Sequence, residues 1–259
     1  MDKLRKSLRT IRFGRRIFFC REVGSTNDWA KELAELGAVE GTVTIAETQT
    51  CGRGRLGRQW ISPKGGLWIS IILRPQLKPA EATKLVFAVG LATAEVLREL
   101  YGLEAETKWP NDVLVNGRKI CGILTEMKTS GNCVNHVVMG IGINANFSVG
   151  KVFSEELRKA ATSLEEEIGR KIKLERLFSF LIERIESVYD LYIKEGFAVI
   201  LKKWKKHASF LGHAVEVVSE TERLHGLARD VDLEGALILR LENGKIKRVF
   251  VGDVSLRTR

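Results

Sequence analysis

Apolar residues recur along this chain with two periods, and the change from one period to the other predicts the order of its helices and strands. Apolar positions three or four residues apart are typical of amphipathic helices. They occur in segments 25–36, 79–100, 173–192 and 198–207. Ser25 or Thr26 suits the N-cap of the first helix, which Gly37 would end. Short apolar runs bounded by turn residues are typical of strands. They occur at 42–46, 67–73, 104–109, 113–115, 119–125 and 134–143.

Several predicted strands follow one another without a helix between them. Asn116-Gly117 separates two apolar runs, which is a strong signal for a two-residue hairpin. Strands joined by tight turns predict a mixed or mostly antiparallel sheet with the helices gathered on one side. Beyond residue 212 the strands become short and evenly spaced, which predicts a small β-barrel from 214–218, 224–231, 236–241 and 247–250. We therefore expect an α+β fold with two domains, residues 1–211 and residues 212–259.

The composition is that of an ordinary globular protein, with 44% hydrophobic and 29% charged residues. The 42 Lys and Arg residues exceed the 32 Asp and Glu residues, which gives a net charge of +10. This charge favours anionic partners but does not choose among nucleotides, nucleic acids, acidic proteins and membranes. No apolar run reaches the ~20 residues that a membrane-spanning helix needs. The four cysteines show neither metal-binding nor disulfide spacing, so reduced thiols and a cytoplasmic location are expected.

The segment with the most unusual composition, residues 52–60, reads Gly-Arg-Gly-Arg-Leu-Gly-Arg-Gln-Trp. Glycine allows the backbone to approach a ligand closely and to adopt positive φ angles. Each guanidinium can hold a carboxylate or phosphate through two parallel hydrogen bonds. The combination indicates an anion-binding loop. The alternative is a solvated surface loop, which charged and glycine-rich segments often form.

Two further segments place charged residues beside predicted strands. Lys108-Trp109-Pro110-Asn111-Asp112 could bring an ammonium group and Mg²⁺-binding oxygens to a phosphate, or could form only an exposed hairpin corner. In the strand 119–125, simple alternation places Lys119 on the face of Cys121 and opposite to Gly122. On such an apolar face, Lys119 either extends along the strand to solvent or points at a negative group.

These segments, taken in order, resemble the biotin protein ligase family. The resemblance rests on the Arg/Gly segment, on Lys108 to Asp112, on Lys119-x-x-Gly-Ile-Leu-x-Glu126, on Gly140-Ile-Gly-Ile-Asn144, on Ser25-Thr26-Asn27 and on Gln49. It covers residues 17–147, and residues 252–257 resemble the end of the small barrel in that family. Each motif alone is weak, but their common order is specific. This chain departs from the pattern with Leu56, where the motif often has Arg, and with Cys121, where Ala or Gly is common.

The resemblance implies a class II synthetase-like catalytic domain, an SH3-like barrel and a two-step ligase reaction. Biotin and ATP would give biotinyl-5′-AMP and pyrophosphate, and a lysine of a biotin carboxyl carrier protein would then attack the mixed anhydride. Two unit charges at 4 Å repel by roughly 1 kcal/mol in water and by more in a drier site, so cations must offset the repulsion. The expected ligands are biotin, ATP and Mg²⁺. No membrane and no specific DNA are expected as partners, and the resemblance leaves a homodimer open.

The same resemblance assigns roles to individual residues. The polar end of biotin is assigned to Ser25, Thr26, Asn27 and Gln49. Its carboxylate and the phosphate are assigned to Arg53, Gly54, Arg55 and Lys119, of which Arg53 and Lys119 are the predicted catalytic residues. Nucleotide binding is assigned to Arg55, Trp60, Lys108, Asn111 and Asn144. Asp112 is the predicted Mg²⁺ ligand. Residues 65–68 and 122–124 could form the apolar wall of the biotin pocket.

The loop 50–64 is expected to be mobile when empty and to close over the adenylate, keeping water from the anhydride. Gly54→Ser or Arg55→Gly should then release the intermediate to free lysines. About sixteen residues precede the region of resemblance, so we expect neither an N-terminal DNA-binding domain nor repressor activity. Two alternatives stay open: a lipoate–protein ligase of the same fold, and a non-enzymatic nucleic-acid-binding protein. The barrel could close over ATP, dock the carrier domain or only stabilise the fold.

Overall fold

The computed structural model describes residues 8–219 and 222–256, so Arg257 of the C-terminal motif lies outside the described residues. Up to residue 211 the elements are, in chain order, β1 (Ile17–Val23), α1 (Thr26–Glu35), β2 (Val43–Gln49), β3 (Leu67–Leu73), α2 (Pro79–Ala82), α3 (Leu85–Tyr101), β4 (Ala105–Lys108), β5 (Asp112–Val115), β6 (Arg118–Ser130), β7 (Cys133–Ile143), α4 (Val149–Val152), α5 (Glu155–Ala160), α6 (Leu164–Ile168), α7 (Leu174–Glu195) and α8 (Phe197–Lys205). The described residues beyond 211 form β8 (Ala214–Val218), β9 (Arg223–Val231), β10 (Leu237–Leu241), β11 (Ile246–Val249) and β12 (Asp253–Leu256).

The first seven strands form one mixed sheet in the order β1-β2-β3-β7-β6-β5-β4. β1 and β2 are parallel, and all the other neighbours are antiparallel. β3 is buried at every position, as expected for a central strand with both faces covered. α3 packs against α7 and α8 and covers one face of the sheet, whereas α1 lies on the other face. The predicted α+β architecture with a mixed sheet is therefore confirmed, but the helices lie on both faces of the sheet and are not gathered on one side.

The predicted hairpin between β5 and β6 is also confirmed. Asn116 and Gly117 both have positive φ angles, 51° and 72°, as a type I′ turn requires. The five C-terminal strands pair antiparallel in the order β11-β10-β9-β8-β12, which agrees with the predicted small barrel. No helix among the described residues is both long and apolar enough to span a membrane.

Several elements differ from the expected pattern. The helix predicted over 79–100 is interrupted after Ala82, where Lys84 pairs with Glu81 at 2.7 Å and donates to the Leu233 carbonyl at 2.9 Å. β1 was not predicted, because its exposed and half-buried residues do not alternate. The short helices α4 to α6 were not predicted either, because each is too short to show a helical period.

The C-terminal strands contact the first 211 residues through their connecting loops. Trp109 Nε1 donates to the Gly235 carbonyl at 3.0 Å, and Arg55 donates to the Gly252 carbonyl at 3.3 Å. These contacts bring the start of β12 next to the Arg/Gly loop. The division into domains at residues 211 and 212 stays a prediction.

Candidate active site

A cavity of about 250 Å³ lies on the face of the sheet that α1 covers. β6 and β7 form its floor, the N-terminal turn of α1 forms one wall, α5 forms another, and the Arg/Gly loop covers it. Most of the residues predicted for biotin, nucleotide or catalysis line this cavity: Ser25, Thr26, Asn27, Gln49, Arg53, Gly54, Arg55, Trp60, Asn111, Lys119 and Asn144. Residues far apart in the chain are thus gathered around one space, whereas Lys108 and Asp112 do not line it.

Three glycines keep the floor of the cavity flat. A Cβ atom on Gly140 would lie 2.1 Å from Asn27 Oδ1, and one on Gly142 would lie 2.4 Å from Trp60 Nε1. A Cβ atom on Gly122 would lie 2.9 Å from the Trp60 ring. Any larger residue at these positions would occupy space that Asn27 and Trp60 already fill. The glycines of β6 and β7 are therefore explained by close packing at the site.

A hydrogen-bonded wall of polar side chains closes one end of the cavity. Gln49 Oε1 accepts from the Thr26 backbone N–H at 2.8 Å and from the Thr26 hydroxyl at 3.0 Å. Gln49 Nε2 donates to the Ser62 hydroxyl at 2.8 Å. Asn27 Nδ2 donates to Glu126 at 2.7 Å. The wall is built from α1, β2 and β6, so its geometry is set before any ligand binds.

Ser70 joins this wall and was missed by the sequence analysis. Its hydroxyl lies 2.6 Å from Asn27 Oδ1 and 2.8 Å from Thr26 Oγ1, and the residue is fully buried. A signal for it existed, because Ser70 is the one polar residue in the otherwise apolar strand β3. A buried hydroxyl needs hydrogen-bond partners, so a serine at such a position indicates polar neighbours across the sheet.

Only part of the predicted apolar wall of the biotin pocket lines the cavity. Residues 122–124 line the cavity, and they are joined by Ile69 and Ile141. Residues 65–68 do not line it. Trp68 is fully buried and packs against Trp60, with 6.3 Å between ring centroids. The prediction for 122–124 agrees with the structure, and the one for 65–68 does not, because Trp68 packs between Trp60 and Phe147 and does not reach the cavity.

The Arg/Gly loop is a short hairpin rather than an open coil. Arg53 pairs with Gln59, and the Gly54 N–H donates to the Arg58 carbonyl at 2.7 Å. At the tip of this hairpin, Leu56 and Gly57 have positive φ angles of 55° and 68°. Gly54 itself is extended, with φ of −103°. Positive φ is thus used at the tip of the loop and not at Gly54.

Arg53 is held by a carboxylate from the wall of the cavity. Its two terminal nitrogens lie 2.5 Å and 2.6 Å from the two oxygens of Asp28, which stands in the first turn of α1. The hydrogen bonds from Arg53 hold the pKa of Asp28 far below its usual range. Asp28 was not among the predicted site residues, although it directly follows Asn27.

Arg55 and Arg58 point to the other side of the cavity. Arg55 Nη1 donates to Asn111 Oδ1 at 3.3 Å and lies 3.7 Å from Asp253, and Arg58 forms an ion pair with Asp253. Burial lowers the pKa of Arg55, and the nearby carboxylates of Asp253 and Asp112 partly oppose that effect. Asp253 begins β12, so the C-terminal strands contribute a charged side chain to the cavity.

Lys119 reaches the cavity because of a β-bulge. Leu114 pairs with Lys119 and Val113 with Cys121, which leaves Ile120 as the extra residue. Lys119 Cε consequently lies 3.1 Å from the position of a Cβ on Gly122. The alternation that placed Lys119 opposite to Gly122 is therefore wrong. Cys121 is instead buried in the core, and burial raises the pKa of its thiol.

Lys119 has a negative partner in this structure. Its Nζ lies 2.6 Å from Asp112 Oδ1 and 5.2 Å from the centroid of the Trp60 ring. Lys108 lies opposite Asp112 in the β4–β5 pairing, and burial lowers the pKa of Lys108. Two lysines and one aspartate thus form a partly buried group beside the cavity. Within the described ranges, no three His, Cys, Asp or Glu side chains are grouped as metal ligands.

The far end of the cavity is suited to a flat ring. Trp60 lies over the floor glycines, and its Nε1 is buried without a hydrogen-bond partner among the described residues. Asn144 donates through Nδ2 to the Thr162 carbonyl at 2.9 Å, while its Oδ1 has no such partner. Apolar residues complete this end: Phe153, Leu157, Ala160 and Ala161. They come from segments that the sequence analysis left unassigned.

Comparison with known proteins identifies the class. Residues 19–144 match the Biotin/lipoate A/B protein ligase family, and residues 210–257 match the Biotin protein ligase C terminal domain. The bifunctional ligase/repressor BirA of Bacillus subtilis is 35% identical over 256 residues, which are 98% of this chain and 78% of that protein. The chain therefore belongs to the biotin/lipoate A/B protein ligase family.

Within that family the similarity is to biotin ligases. The biotin–[acetyl-CoA-carboxylase] ligase of Paracoccus denitrificans is 35% identical over 226 residues, which are 85% of this chain and 92% of that protein. The biotin protein ligase of Aquifex aeolicus, solved in complex with biotin and ATP, has a TM-score of 0.79 and 30% identity, covering 95% of this chain and all of that one. The Leishmania major enzyme, with a TM-score of 0.62 and 23% identity, shares the fold.

Proposed function

We propose that this chain is an ATP-dependent biotin protein ligase. In the first step, a carboxylate oxygen of biotin attacks the α-phosphorus of ATP, which forms the mixed anhydride biotinyl-5′-AMP and breaks the bond to pyrophosphate. In the second step, a lysine amine of a biotin carboxyl carrier protein attacks the acyl carbon. An amide forms, AMP leaves and the amine loses a proton. The relatives compared above support both the ligase class and biotin as the acid.

The observation that carries the proposal is the convergence of several cations on one cavity. Arg53, Arg55 and Lys119 come from the loop and from β6, and all three line the space above the glycine floor. A carboxylate and a polyphosphate repel each other, and fixed cations offset that repulsion most strongly where water is excluded. Their stabilisation grows as the equatorial oxygens on phosphorus gain charge. The arrangement is therefore suited to joining two anions.

Roles for the individual residues follow from their positions. The polar wall of Thr26, Asn27 and Gln49 is suited to the ureido head of biotin, with Ser25 beside it. Trp60 and Asn144 are suited to the adenine end, because each has a buried polar atom without a partner among the described residues. Gly54 sits at the mouth of the cavity between Arg53 and Arg55, where its lack of a side chain leaves room for the phosphate.

Lys108, Asn111 and Asp112 are proposed to serve the phosphates of ATP. Mg²⁺ is usually held by one or two carboxylates together with substrate phosphates and water, so a single aspartate is compatible with a site for the ATP-bound ion. Asp112 would be that carboxylate once Lys119 turns from it to the reacting groups. The ion, when bound, neutralises phosphate charge. We also propose a cytoplasmic location, which the four free cysteines support.

The experiment that tests the proposal is ATP–pyrophosphate exchange, measured with biotin, with lipoate and with neither acid. Exchange that depends on biotin is the expected result. Exchange with lipoate alone would assign the chain to the other branch of its family. No exchange with either acid, together with tight and salt-sensitive binding to polynucleotide, would favour the nucleic-acid-binding alternative. Sedimentation with and without biotin and ATP would test the homodimer that the resemblance leaves open.

A further inference from the structure

The Arg/Gly loop is fastened to the rest of the protein on both sides of the cavity. On one side Arg53 contacts α1, and on the other side Arg55 and Arg58 contact the start of β12. Both fastenings are guanidinium–carboxylate pairs. The side at β12 uses Asp253, and the side at α1 uses Asp28.

The contact at α1 has the geometry of a strong pair. Both terminal nitrogens of Arg53 face both oxygens of Asp28, at 2.5 Å and 2.6 Å, so the two planar groups meet through two parallel hydrogen bonds. Asp28 stands in the first turn of a helix, where a negative charge is favoured. It directly follows Asn27, which belongs to the polar wall. A rigid element of the cavity wall thus holds one end of the loop.

The surrounding charges are balanced. Lys31 lies 2.8 Å from Asp28 and 2.9 Å from Glu126, and Glu126 lies 3.7 Å from Arg53. Two cations and two carboxylates therefore form one closed group. Glu126 also accepts from Asn27 at 2.7 Å, which links the group to the polar wall. The position of Arg53 is consequently tied to the wall by more than one contact.

Arg53 can hold Asp28 and a ligand anion at the same time. A guanidinium has five N–H groups, and the pair with Asp28 uses two of them. The backbone of Arg53 also pairs with Gln59, so fixing this residue fixes both arms of the hairpin. A ligand that binds the remaining N–H groups would therefore strengthen closure without displacing Asp28.

We propose that Asp28 is a positioning residue that latches Arg53, and with it the Arg/Gly loop, to the α1 wall while the adenylate is held in the cavity. The inference rests on the proposed ligase function. Asp28 acts through Arg53, and its role is to keep the loop closed between the two chemical steps. Loss of the latch should release biotinyl-5′-AMP before the acceptor lysine arrives, because the loop then loses its strongest contact with the α1 wall.

The test compares the wild type with Asp28→Asn, which keeps the size of the side chain and removes its charge. Two quantities are measured: biotin-dependent ATP–pyrophosphate exchange, and biotin transferred to a bystander protein that has no acceptor domain. Asp28→Asn should raise bystander labelling by about fivefold, which corresponds to the largest contribution measured for partly exposed ion pairs. The KM for biotin should change less than twofold. Asp28→Glu, which keeps the charge, should restore part of the retention.

Asp190→Asn is the matched control. Asp190 is a similarly exposed aspartate that pairs with Arg12 at the far side of the protein, and its substitution should leave bystander labelling unchanged. Unchanged labelling in Asp28→Asn, with a folded protein by thermal melting, would overturn the proposal. A lower KM for biotin without added leakage would also overturn it, because Asp28 would then be a placeholder that biotin displaces. If the wild type itself shows no biotin-dependent exchange, the proposed function fails instead.

Discussion

The floor of the cavity and the loop above it both depend on glycine, but for different physical reasons. On the floor, Gly140 and Gly142 leave space that Asn27 and Trp60 fill, so an added Cβ would lie 2.1 Å or 2.4 Å from those side chains. In the loop, the atom nearest to a Cβ on Gly54 is the Arg58 carbonyl oxygen at 3.6 Å. In this conformation, close packing thus requires glycine at the floor positions, but it does not require glycine at position 54.

The two regions are also held by different interactions. The floor belongs to a continuous antiparallel ladder through β3, β7 and β6. The loop is held mainly by ion pairs to Asp28 and Asp253, whose strength depends on charge and on exposure to water. Changes on the floor should therefore alter binding and folding stability, and changes in the loop should alter the retention of the intermediate.

Lys119→Met should cause the largest loss of adenylation rate. Lys119 lies on the floor strand β6, and its positive charge, not its shape, serves the reaction. Removing one cation from a pre-organised site lowers the rate by about 10²- to 10³-fold. The rate of biotinyl-5′-AMP formation in a single turnover measures this loss. Lys128→Met is the control, since Lys128 lies on the same strand and pairs with Glu35 away from the cavity. Adenylation within twofold of the wild-type rate would exclude the catalytic assignment of Lys119.

Gly142→Ala tests whether close packing requires glycine on the floor of the cavity. The new methyl group would meet Trp60 at 2.4 Å, so we expect a loss of about 1–3 kcal/mol in the free energy of unfolding and weaker biotin binding. Chemical denaturation and calorimetry with biotin measure the two effects. Gly90→Ala, inside α3, is the control: its methyl group would lie 3.6 Å from the nearest atom, Trp204 Nε1, so the protein should gain roughly 0.5–1 kcal/mol in the free energy of unfolding. Equal stability of the two variants would argue against the packing explanation.

Gly54→Ser tests the loop side and should leave the fold nearly unchanged. The serine fits the extended backbone with φ of −103°, so the free energy of unfolding should stay within about 0.5 kcal/mol of the wild-type value. Leakage of the adenylate to free lysines should nevertheless increase, because the serine side chain would occupy the room that Gly54 leaves for the phosphate. Labelling of a bystander protein measures this leakage. Normal retention would show that a side chain at position 54 does not impede closure over the intermediate.

The sequence predicted the residues that face the cavity better than the contacts that hold them. Local patterns are enough to find strands, a hairpin at Asn116-Gly117 and a cation-rich loop. They fail where an interaction depends on a distant partner. The bulge at Ile120 depends on the pairing of β5 with β6, and the pairing of Arg53 with Asp28 depends on how the loop folds back on α1.

The far end of the cavity illustrates the same limit. Phe153 and Leu157 line it from a segment of short helices without a clear period. These helices are defined by tertiary contacts, such as the hydrogen bond that the Val149 N–H donates to Glu166 at 2.8 Å, and not by their own propensity. Ser70 could have been found, because a buried hydroxyl in an apolar strand requires partners.

The smallest expected effect is on folding stability, which should depend on pH in different ranges for the floor and for the loop. His136, on floor strand β7, is 4% exposed, and burial lowers its pKa despite the nearby carboxylate of Glu35. The unfolded chain therefore takes up a proton more readily than the folded one, and stability should fall as pH drops below about 6.5. The lowered pKa of Asp28 acts in a separate window, since the stability gained from its pairing is present above about pH 3.8 and is lost only below it.

Thermal melting between pH 8 and pH 5 should thus show a decline that His136→Gln reduces. Part of the decline should remain in that variant, because burial also lowers the pKa of His207. His213→Gln, at an exposed position, is the control for replacing a histidine with glutamine. An unchanged decline in His136→Gln would mean that the floor strand carries no titrating group in this range. The decline would then have to arise from groups outside that strand, such as His207.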